Sequence, residues 1–424
     1  MGRRLTDELS LKPRRFSDPI KLALDDYVPT SMVLIIVYPF HIEPSLLATA
    51  FGSGLDVFPH LTGAIGGSVS PFELEIRPAD AALCLELVQS ARRTSLADIE
   101  SMSVDEHFAE FAPACVREGV QFGEQEGLPL FAARLTSLNA TEMSVLGLVV
   151  SHMAVDGIGL SYFLSHSVSA LSGTRLRRVV HERRVLRVSD PGGALEIPYR
   201  YVSAKSDHKS GMREWDAARQ YPLSIFAVPI QAAMSVLGSA SLSAVRFGLT
   251  AFLCRELAQL NPDYMEVGLW CNPRGTNGIP KSYTGNVGCY LHLPLREGST
   301  SDLAHQLRSI ASREGFTRIA DTYRRLKQAE MRGFCPTWDG LAPEVLPVNL
   351  VSYSPSSAGV AAAAPSMARM LTRNLHGLRL SITPNRQQFL VEVCLPRDLS
   401  QALTDRCQRH GLIAFQQGSD SLER

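Results

Sequence analysis

Two unbroken apolar runs stand out in the first half of the chain, at residues 31–38 (SMVLIIVY) and 143–151 (MSVLGLVVS). Both are short and rich in β-branched residues, which predicts buried strands. Apolar and polar positions alternate over residues 61–78, which predicts a hairpin. The first 30 residues are polar, so we expect a loose lead-in there.

Apolar residues spaced three or four positions apart predict helices in four segments. These are residues 43–55, 157–171, 243–260 and 302–326. Further strands are predicted at residues 267–271, 285–295 and 348–353, and a terminal hairpin at 378–395. Because strands and helices are mixed in both halves, the predicted fold class is α/β.

Residues 172–215 break this pattern, since arginines, serines and a Pro-Gly-Gly sequence replace the apolar spacing. We interpret them as an exposed crossover, with the arginine-rich run at 175–187 in contact with solvent. The predicted organisation is an N-terminal half at 1–185, a linker at 186–215 and a C-terminal half at 216–424.

Charge and composition exclude several classes of protein. The 424 residues carry 42 Lys and Arg against 42 Asp and Glu, so nucleic acid or an anionic membrane is not the expected partner. No run approaches the roughly 18 apolar residues of a membrane span, which favours a soluble, cytoplasmic protein. The eight cysteines lack CxxC spacing and no HExxH is present, so we expect reduced, buried cysteines and no metal site.

Candidate chemistry lies directly after the second apolar run. His152 directly follows the predicted strand, Asp156 lies four residues later, and Gly157 opens the predicted helix. A histidine suits general-base catalysis because its unperturbed pKa is about 6.5. The aspartate can tie down the turn that displays the ring, and the glycine would let the backbone turn tightly. A lone histidine after an apolar strand is usually an ordinary core or surface residue, and HxxxD occurs by chance in many chains of this length, so this motif alone does not establish catalysis.

Other short motifs lie in order around this HxxxDG segment. The first extends from Leu46-Leu47 to FPHLTG and covers residues 46–63, and the second is VRFGLTAFLCREL at 245–257. The third extends from NPRG to PKSYTGN at 272–286, and the fourth is VNLVSY at 348–353. The ordered set resembles the superfamily of acyl-CoA-dependent acyltransferases that includes the BAHD enzymes and the condensation domains of peptide synthetases. Two departures indicate a divergent, stand-alone member. SPSS replaces the DFGWG loop after Tyr353, and Ser151 replaces the first histidine of HHxxxDG.

The resemblance implies two domains of chloramphenicol-acetyltransferase-like topology with a channel between them. It implies that His152 is the general base and that Asp156 pairs with an arginine, for which Arg274 is the matching position. Gly157 and Arg274 would support the site. Candidates for substrate or oxyanion contacts are Ser352, Asn286, which the resemblance places near the donor side, and His292, whose neighbours in its strand are leucines.

The implied activity is transfer of an acyl group from a thioester to a hydroxyl or amine of a small-molecule acceptor, in secondary metabolism. Acyl-CoA is the implied co-substrate, no bound cofactor is expected, and the chain is expected to be a monomer. Two alternatives stay open. One is a condensation-like enzyme whose acyl donor is the phosphopantetheine of an acyl carrier protein. The other is a non-catalytic binding scaffold with the same fold.

Overall fold

The structure is a computed structural model. It describes residues 5–11, 13, 16–26, 31–67, 74–79, 83–114, 130–174, 176, 178–186, 201–203, 223–238, 241–332, 334–336, 344–350, 365–371, 377–383, 387–413 and 415–416. The chain forms two units, each assembled from several segments. Unit 1 comprises Met1–Arg184, Ser282–Asn286 and Tyr353–Arg373; unit 2 comprises Val185–Lys281, Val287–Ser352 and Asn374–Arg424. Segments from the second half of the sequence therefore complete unit 1.

The strands, in chain order, are β1 (Leu5–Leu11), β2 (Ile20–Lys21), β3 (Ser31–Tyr38), β4 (Ala64–Gly66), β5 (Glu75–Arg77), β6 (Leu83–Ser90), β7 (Phe131–Leu138), β8 (Met143–Ser151), β9 (Tyr201–Ser203), β10 (Leu223–Pro229), β11 (Glu266–Cys271), β12 (Cys289–Pro294), β13 (Phe334–Pro336), β14 (Val345–Leu350), β15 (Met367–Leu371), β16 (Gly377–Ile382), β17 (Gln388–Cys394) and β18 (Phe415–Gln416). The helices are α1 (Pro44–Val57), α2 (Leu96–Ser101), α3 (Val104–Phe111), α4 (Gly157–Ser172), α5 (Ile230–Leu237), α6 (Leu242–Leu260), α7 (Thr300–Ser309), α8 (Arg313–Met331) and α9 (Arg397–Arg409). Short 3-10 turns cover Leu24–Asp26, Pro59–Thr62 and Arg183–Leu186.

Unit 1 contains a six-stranded sheet in the order β1-β6-β7-β8-β3-β15. β6 and β7 are parallel, and the other neighbours are antiparallel. Every residue of β8 is buried, which explains its unbroken apolar sequence. A cluster of phenylalanines packs α1 and α4 together with β7, with ring centroids 5.2–6.0 Å apart: Phe51, Phe58, Phe131 and Phe163. The sheet and these two helices thus hold the end of β8 in a fixed position.

Unit 2 contains a seven-stranded sheet in the order β12-β11-β14-β16-β17-β10-β18. β14 runs parallel to both of its neighbours, and the remaining pairs are antiparallel. β9 and β13 form a separate two-stranded sheet. Five described cysteine side chains are buried in this unit, as expected: Cys254, Cys271, Cys289, Cys394 and Cys407. Burial raises the pKa of the Cys254 thiol to about 12.

Several predictions of secondary structure are confirmed. The strands at 31–38 and 143–151 have the predicted bounds, and β4 with β5 and β16 with β17 form the two predicted hairpins. Three other predictions are wrong. The N-terminal segment is not a loose lead-in, because β1 pairs with β6 along its length. The helix predicted at 302–326 is two helices, since Ser312 caps the start of α8. The strand predicted from residue 285 begins only at Cys289.

Among the described residues, no single helix has the length and apolar character to cross a bilayer. The pair α5 and α6, bent by 73°, passes that test by length and composition alone.

Candidate active site

The candidate site is the turn that joins β8 to α4. The strand ends at Ser151, whose carbonyl accepts hydrogen bonds from the backbone N–H groups of Ala154 (3.1 Å) and Val155 (3.4 Å). Its hydroxyl accepts another from the N–H of Met153 at 3.3 Å. Ser151, which stands in place of the first histidine of HHxxxDG, therefore shapes the turn that carries His152.

Asp156 is the N-cap of α4. Its Oδ1 atom accepts hydrogen bonds from the N–H groups of Ile158 (3.1 Å) and Gly159 (2.9 Å), which satisfies two donors at the helix start. The side chain thus fixes the direction in which the chain leaves the turn. This contact explains an aspartate four residues after the histidine without reference to substrate.

Two glycines, Gly157 and Gly159, lie in the first turn of α4, and the structure constrains only the second. Gly157 does not adopt the left-handed backbone conformation, and a Cβ atom there would meet only Met370 Cε, at 3.7 Å. The backbone conformation therefore does not itself require a glycine at this position. Gly159 cannot be replaced by a larger residue without a clash, because a Cβ atom there would lie 2.1 Å from the carbonyl oxygen of Thr284. A glycine is needed where α4 approaches that backbone.

His152 itself is half-buried. Its Nδ1 atom is shielded from solvent and makes no hydrogen bond of good geometry to the described residues. Burial lowers the pKa of the imidazole below its ordinary value of 6.5 and outweighs Asp156, its own carbonyl, Asn286 and Asp26, which all raise it. The ring is therefore neutral at neutral pH, as a general base must be.

A buried ion pair lies next to the turn. The Nε atom of Arg183 is 2.8 Å from Oδ2 of Asp26, and the two side chains are 6% and 0% exposed. Arg183 also donates from Nη2 to the carbonyl of Ala154 (2.7 Å) and from Nη1 to the carbonyl of His181 (3.0 Å). Burial opposes the charge, but Asp26 and Tyr283 together outweigh it and the pKa of Arg183 is raised. The interpretation of the whole run at 175–187 as solvated is therefore wrong for Arg183.

Asn286 connects this ion pair to the histidine. Its backbone N–H and its Nδ2 both donate to Oδ1 of Asp26, at 3.0 and 3.2 Å. Nδ2 also donates to the carbonyl oxygen of His152. Since an asparagine amide has only two N–H bonds, both are already used. Asn286 thus has no side-chain donor left for the oxyanion contact that the sequence suggested.

Gly285, next to Asn286, makes room for the arginine. A Cβ atom at this position would lie 2.3 Å from Nη1 of Arg183 and 2.5 Å from the hydroxyl oxygen of Tyr283. The guanidinium also lies over the Tyr283 ring, 5.5 Å from its centroid. The Gly-Asn pair of the PKSYTGN segment therefore serves the buried ion pair.

Two further histidines lie beside the ion pair, and sequence reasoning missed both. The rings of His60 and His181 are 4.6 Å apart. Burial lowers the pKa of His181 to about 4 and that of His60 well below its ordinary value. The neutral His181 ring donates from Nε2 to the carbonyl of Val57 (2.7 Å) and accepts at Nδ1 from the hydroxyl of Thr284 (2.7 Å). For His60, its position inside the FPHLTG motif was a sequence signal that could have identified it as a site residue.

The other predicted site residues belong to unit 2 or lie outside the described residues. Arg274 belongs to unit 2, where it is buried and donates to Oδ1 of Asn272 at 3.2 Å. His292 also belongs to unit 2; its Nδ1 is 2.8 Å from Oε2 of Glu266. Ser352 lies outside the described residues, as does the SPSS segment. The pairing of Asp156 with Arg274 stays a prediction.

The chain resembles known proteins in its fold and not in its sequence. No family model matches it, and no curated protein matches its sequence. Its fold matches that of solved acyltransferases. The crystal structure of vinorine synthase matches with a TM-score of 0.67 at 15% identity and covers 99% of both chains. F. sporotrichioides TRI101 complexed with coenzyme A and T-2 matches with a TM-score of 0.66 at 14% identity, over 95% of this chain and 100% of that one.

A condensation domain shares the fold as well. A mutant form of the starter condensation domain of rhizomide synthetase RzmA, in complex with C8-CoA and Leu-SNAC, matches with a TM-score of 0.58 at 15% identity over 94% of each chain. The chain therefore has the two-domain, chloramphenicol-acetyltransferase-like fold of CoA-dependent acyltransferases. At these identities the likeness establishes the fold, and the function has to be argued from the site.

Proposed function

We propose that this protein transfers an acyl group from acyl-CoA to a hydroxyl or amine of a small-molecule acceptor, with His152 as the general base. The observation that carries the proposal is a half-buried imidazole on a strand-to-helix turn whose backbone is held by buried polar groups. Burial also lowers the pKa of this ring, which favours its neutral form. The fold adds support, because the neighbours with this architecture include TRI101 complexed with coenzyme A and a small molecule.

The chemistry follows from the neutral ring. His152 takes the proton of the acceptor hydroxyl or amine while the acceptor attacks the thioester carbonyl and the new C–O or C–N bond forms. The tetrahedral intermediate then collapses, the C–S bond breaks, and the imidazolium returns the proton to the leaving thiolate. Free CoA thiol and the acylated acceptor are the products. Ser352 remains the candidate donor to the oxyanion, since Asn286 is occupied.

A carrier-protein donor is the second candidate. The likeness to the starter condensation domain of a synthetase supports it, although the complex of that domain holds a free acyl-CoA, C8-CoA. The non-catalytic scaffold is the weaker alternative. A scaffold has no need of a buried ion pair connected to the turn that bears His152.

The test is thiol release from a panel of acyl-CoAs of increasing chain length, with candidate hydroxyl and amine acceptors, and with water as the default acceptor. His152→Ala should lower turnover roughly 10²–10⁴-fold. The exposed His305 of α7 provides the matched control, and His305→Ala should leave turnover unchanged. Near-native turnover by His152→Ala would overturn the proposal. Transfer from an acylated carrier protein but not from any free acyl-CoA would favour the second candidate.

A further inference from the structure

We propose that the buried Asp26–Arg183 ion pair and Asn286 are positioning residues for His152, because together they hold the peptide groups of the turn that displays its ring. The inference rests on the proposed function only in taking the His152 ring to be the general base. The positioning itself is a property of unit 1 and has its own readout.

Both members of the ion pair reach the same turn. Arg183 donates to the carbonyl of Ala154 at 2.7 Å, which fixes the peptide group two residues after the histidine. Asp26 acts through Asn286, since its Oδ1 accepts from Nδ2 of Asn286, and that same nitrogen donates to the carbonyl of His152. The carbonyls of residues 152 and 154 are thus held from two directions by one ion pair.

Burial of the Asp26 carboxylate fixes the orientation of the Asn286 side chain. The carboxylate of Asp26 has no exposed surface; its oxygens contact Arg183 and accept from Asn286 and from the N–H of Ala23 (3.0 Å). Hydrogen bonds to a buried charge are stronger than those between neutral groups, so Asn286 is held in one orientation. A fixed asparagine can transmit that orientation to the His152 carbonyl.

A second buried pair in unit 1 shows what a purely structural role looks like. Arg134 on β7 donates from Nε to Oε2 of Glu86 on the neighbouring β6, at 2.7 Å. Glu86 also accepts from the N–H of Ala114 at 2.8 Å. These contacts join two adjacent strands to the segment after α3. The pair therefore provides a matched control for loss of a buried arginine in the same unit.

The experiment compares Asn286→Ala and Arg183→Lys with Arg134→Lys. The first readout is the titration of the His152 ring in protein labelled with ¹⁵N-histidine, assigned by the signal that disappears in His152→Ala. Asn286 and the charges of Asp156 and Asp26 all raise the pKa of His152. Asn286→Ala should therefore move the titration to lower pH. The second readout is kcat and KM for transfer from acyl-CoA, where kcat should fall up to about 10²-fold with little change in KM.

Arg183→Lys should give an intermediate effect, because one ammonium cannot replace the three contacts that the guanidinium makes to Asp26, Ala154 and His181. Arg134→Lys should lower the melting temperature yet leave the His152 titration and kcat at their wild-type values. An unchanged titration and kcat in Asn286→Ala would overturn the inference. Equal shifts in Arg134→Lys would do the same, since they would show general loosening.

The outcomes separate this inference from the proposed function. If the ring titration shifts as expected but no thioester is consumed, the positioning holds and acyl transfer fails. If turnover depends on His152 but ignores Asn286 and Arg183, acyl transfer holds and the positioning fails.

Discussion

Unit 1 and unit 2 each bury an arginine–carboxylate pair, Asp26–Arg183 in the first and Arg379–Glu392 in the second. In unit 2 the partners face each other in the register of β16 and β17, so the pair lies within regular structure. In unit 1 both partners come from short 3-10 turns, and the arginine bonds to the carbonyl of Ala154 in another irregular segment. A pair within a sheet supports that sheet. A pair that joins irregular segments can hold a turn in one conformation.

Removal of the arginine from each pair should separate these two roles and have the largest effect. Arg183→Met leaves Asp26, and Arg379→Met leaves Glu392, as a buried carboxylate without its cation, which costs roughly 3–5 kcal/mol. Both variants should therefore melt at lower temperature, and only Arg183→Met should lose kcat when assayed below its transition. Comparable loss of kcat in Arg379→Met would contradict the distinction between the two ion pairs.

The same comparison explains which parts of the site could be predicted from sequence. The turn at His152 was predictable because an unbroken apolar strand precedes it and helical spacing follows it. Asp26 and Arg183 were not, since each is a charged residue next to a second residue of the same charge, and charge indicates exposure. Their burial arises only because the fold brings together opposite charges that are far apart in the chain. Asn286 was found from its motif, but its role depends on partners that only the fold supplies.

Acid should destabilise unit 1 through its buried histidines. Burial lowers the pKa of both His107 and His181 to about 4, from 6.5 in an unfolded chain. Between those values the unfolded state binds more protons, so stability is lost as the pH falls from about 6.5 towards 4. For the fully buried His107 the loss reaches about 3 kcal/mol. Calorimetry at pH 7 and pH 5, with hydrogen exchange to assign the transitions, should show this shift for unit 1.

His107→Gln provides the control for the acid effect. The variant should lose part of the pH dependence, because a glutamine takes up no proton in this range. A melting temperature of unit 1 that is the same at pH 7 and pH 5 would contradict the assignment of neutral, buried histidines.

Two alanine substitutions in the first turn of α4 should differ although they are only two residues apart. Gly159→Ala places a methyl group 2.1 Å from the Thr284 carbonyl oxygen, so backbone must move, at a cost of roughly 1–3 kcal/mol. Gly157→Ala meets only Met370 at 3.7 Å and should change stability by about 0.5 kcal/mol or less. Chemical denaturation measures both. Equal destabilisation would mean that the approach of α4 to Thr284 is not as close as described.

The role of Asp156 as a cap predicts a smaller difference. Asp156→Ala removes the acceptor for the N–H groups of Ile158 and Gly159, which costs about 1 kcal/mol. Asp156→Asn keeps an acceptor in the same place and should be more stable than the alanine variant. Thermal unfolding of the two variants measures the difference. If they were equally unstable, the charge of Asp156 would matter more than the cap, as an ion pair with Arg274 requires.

The smallest expected effect is that of chelation. The described residues contain no group of three or more histidine, cysteine, aspartate or glutamate side chains placed to hold a metal ion. The proposed chemistry relies on a neutral imidazole and hydrogen-bond donors, so activity should survive prolonged treatment with EDTA. Activity should also rise with pH through the titration of His152, because a general base acts only when deprotonated. Since burial lowers that pKa below 6.5, the midpoint of the rise should lie below pH 6.5. Loss of activity on chelation with recovery on adding zinc would show that the metal-free mechanism is wrong. A rate that fell across the same pH range would instead show that His152 acts as an acid in the limiting step.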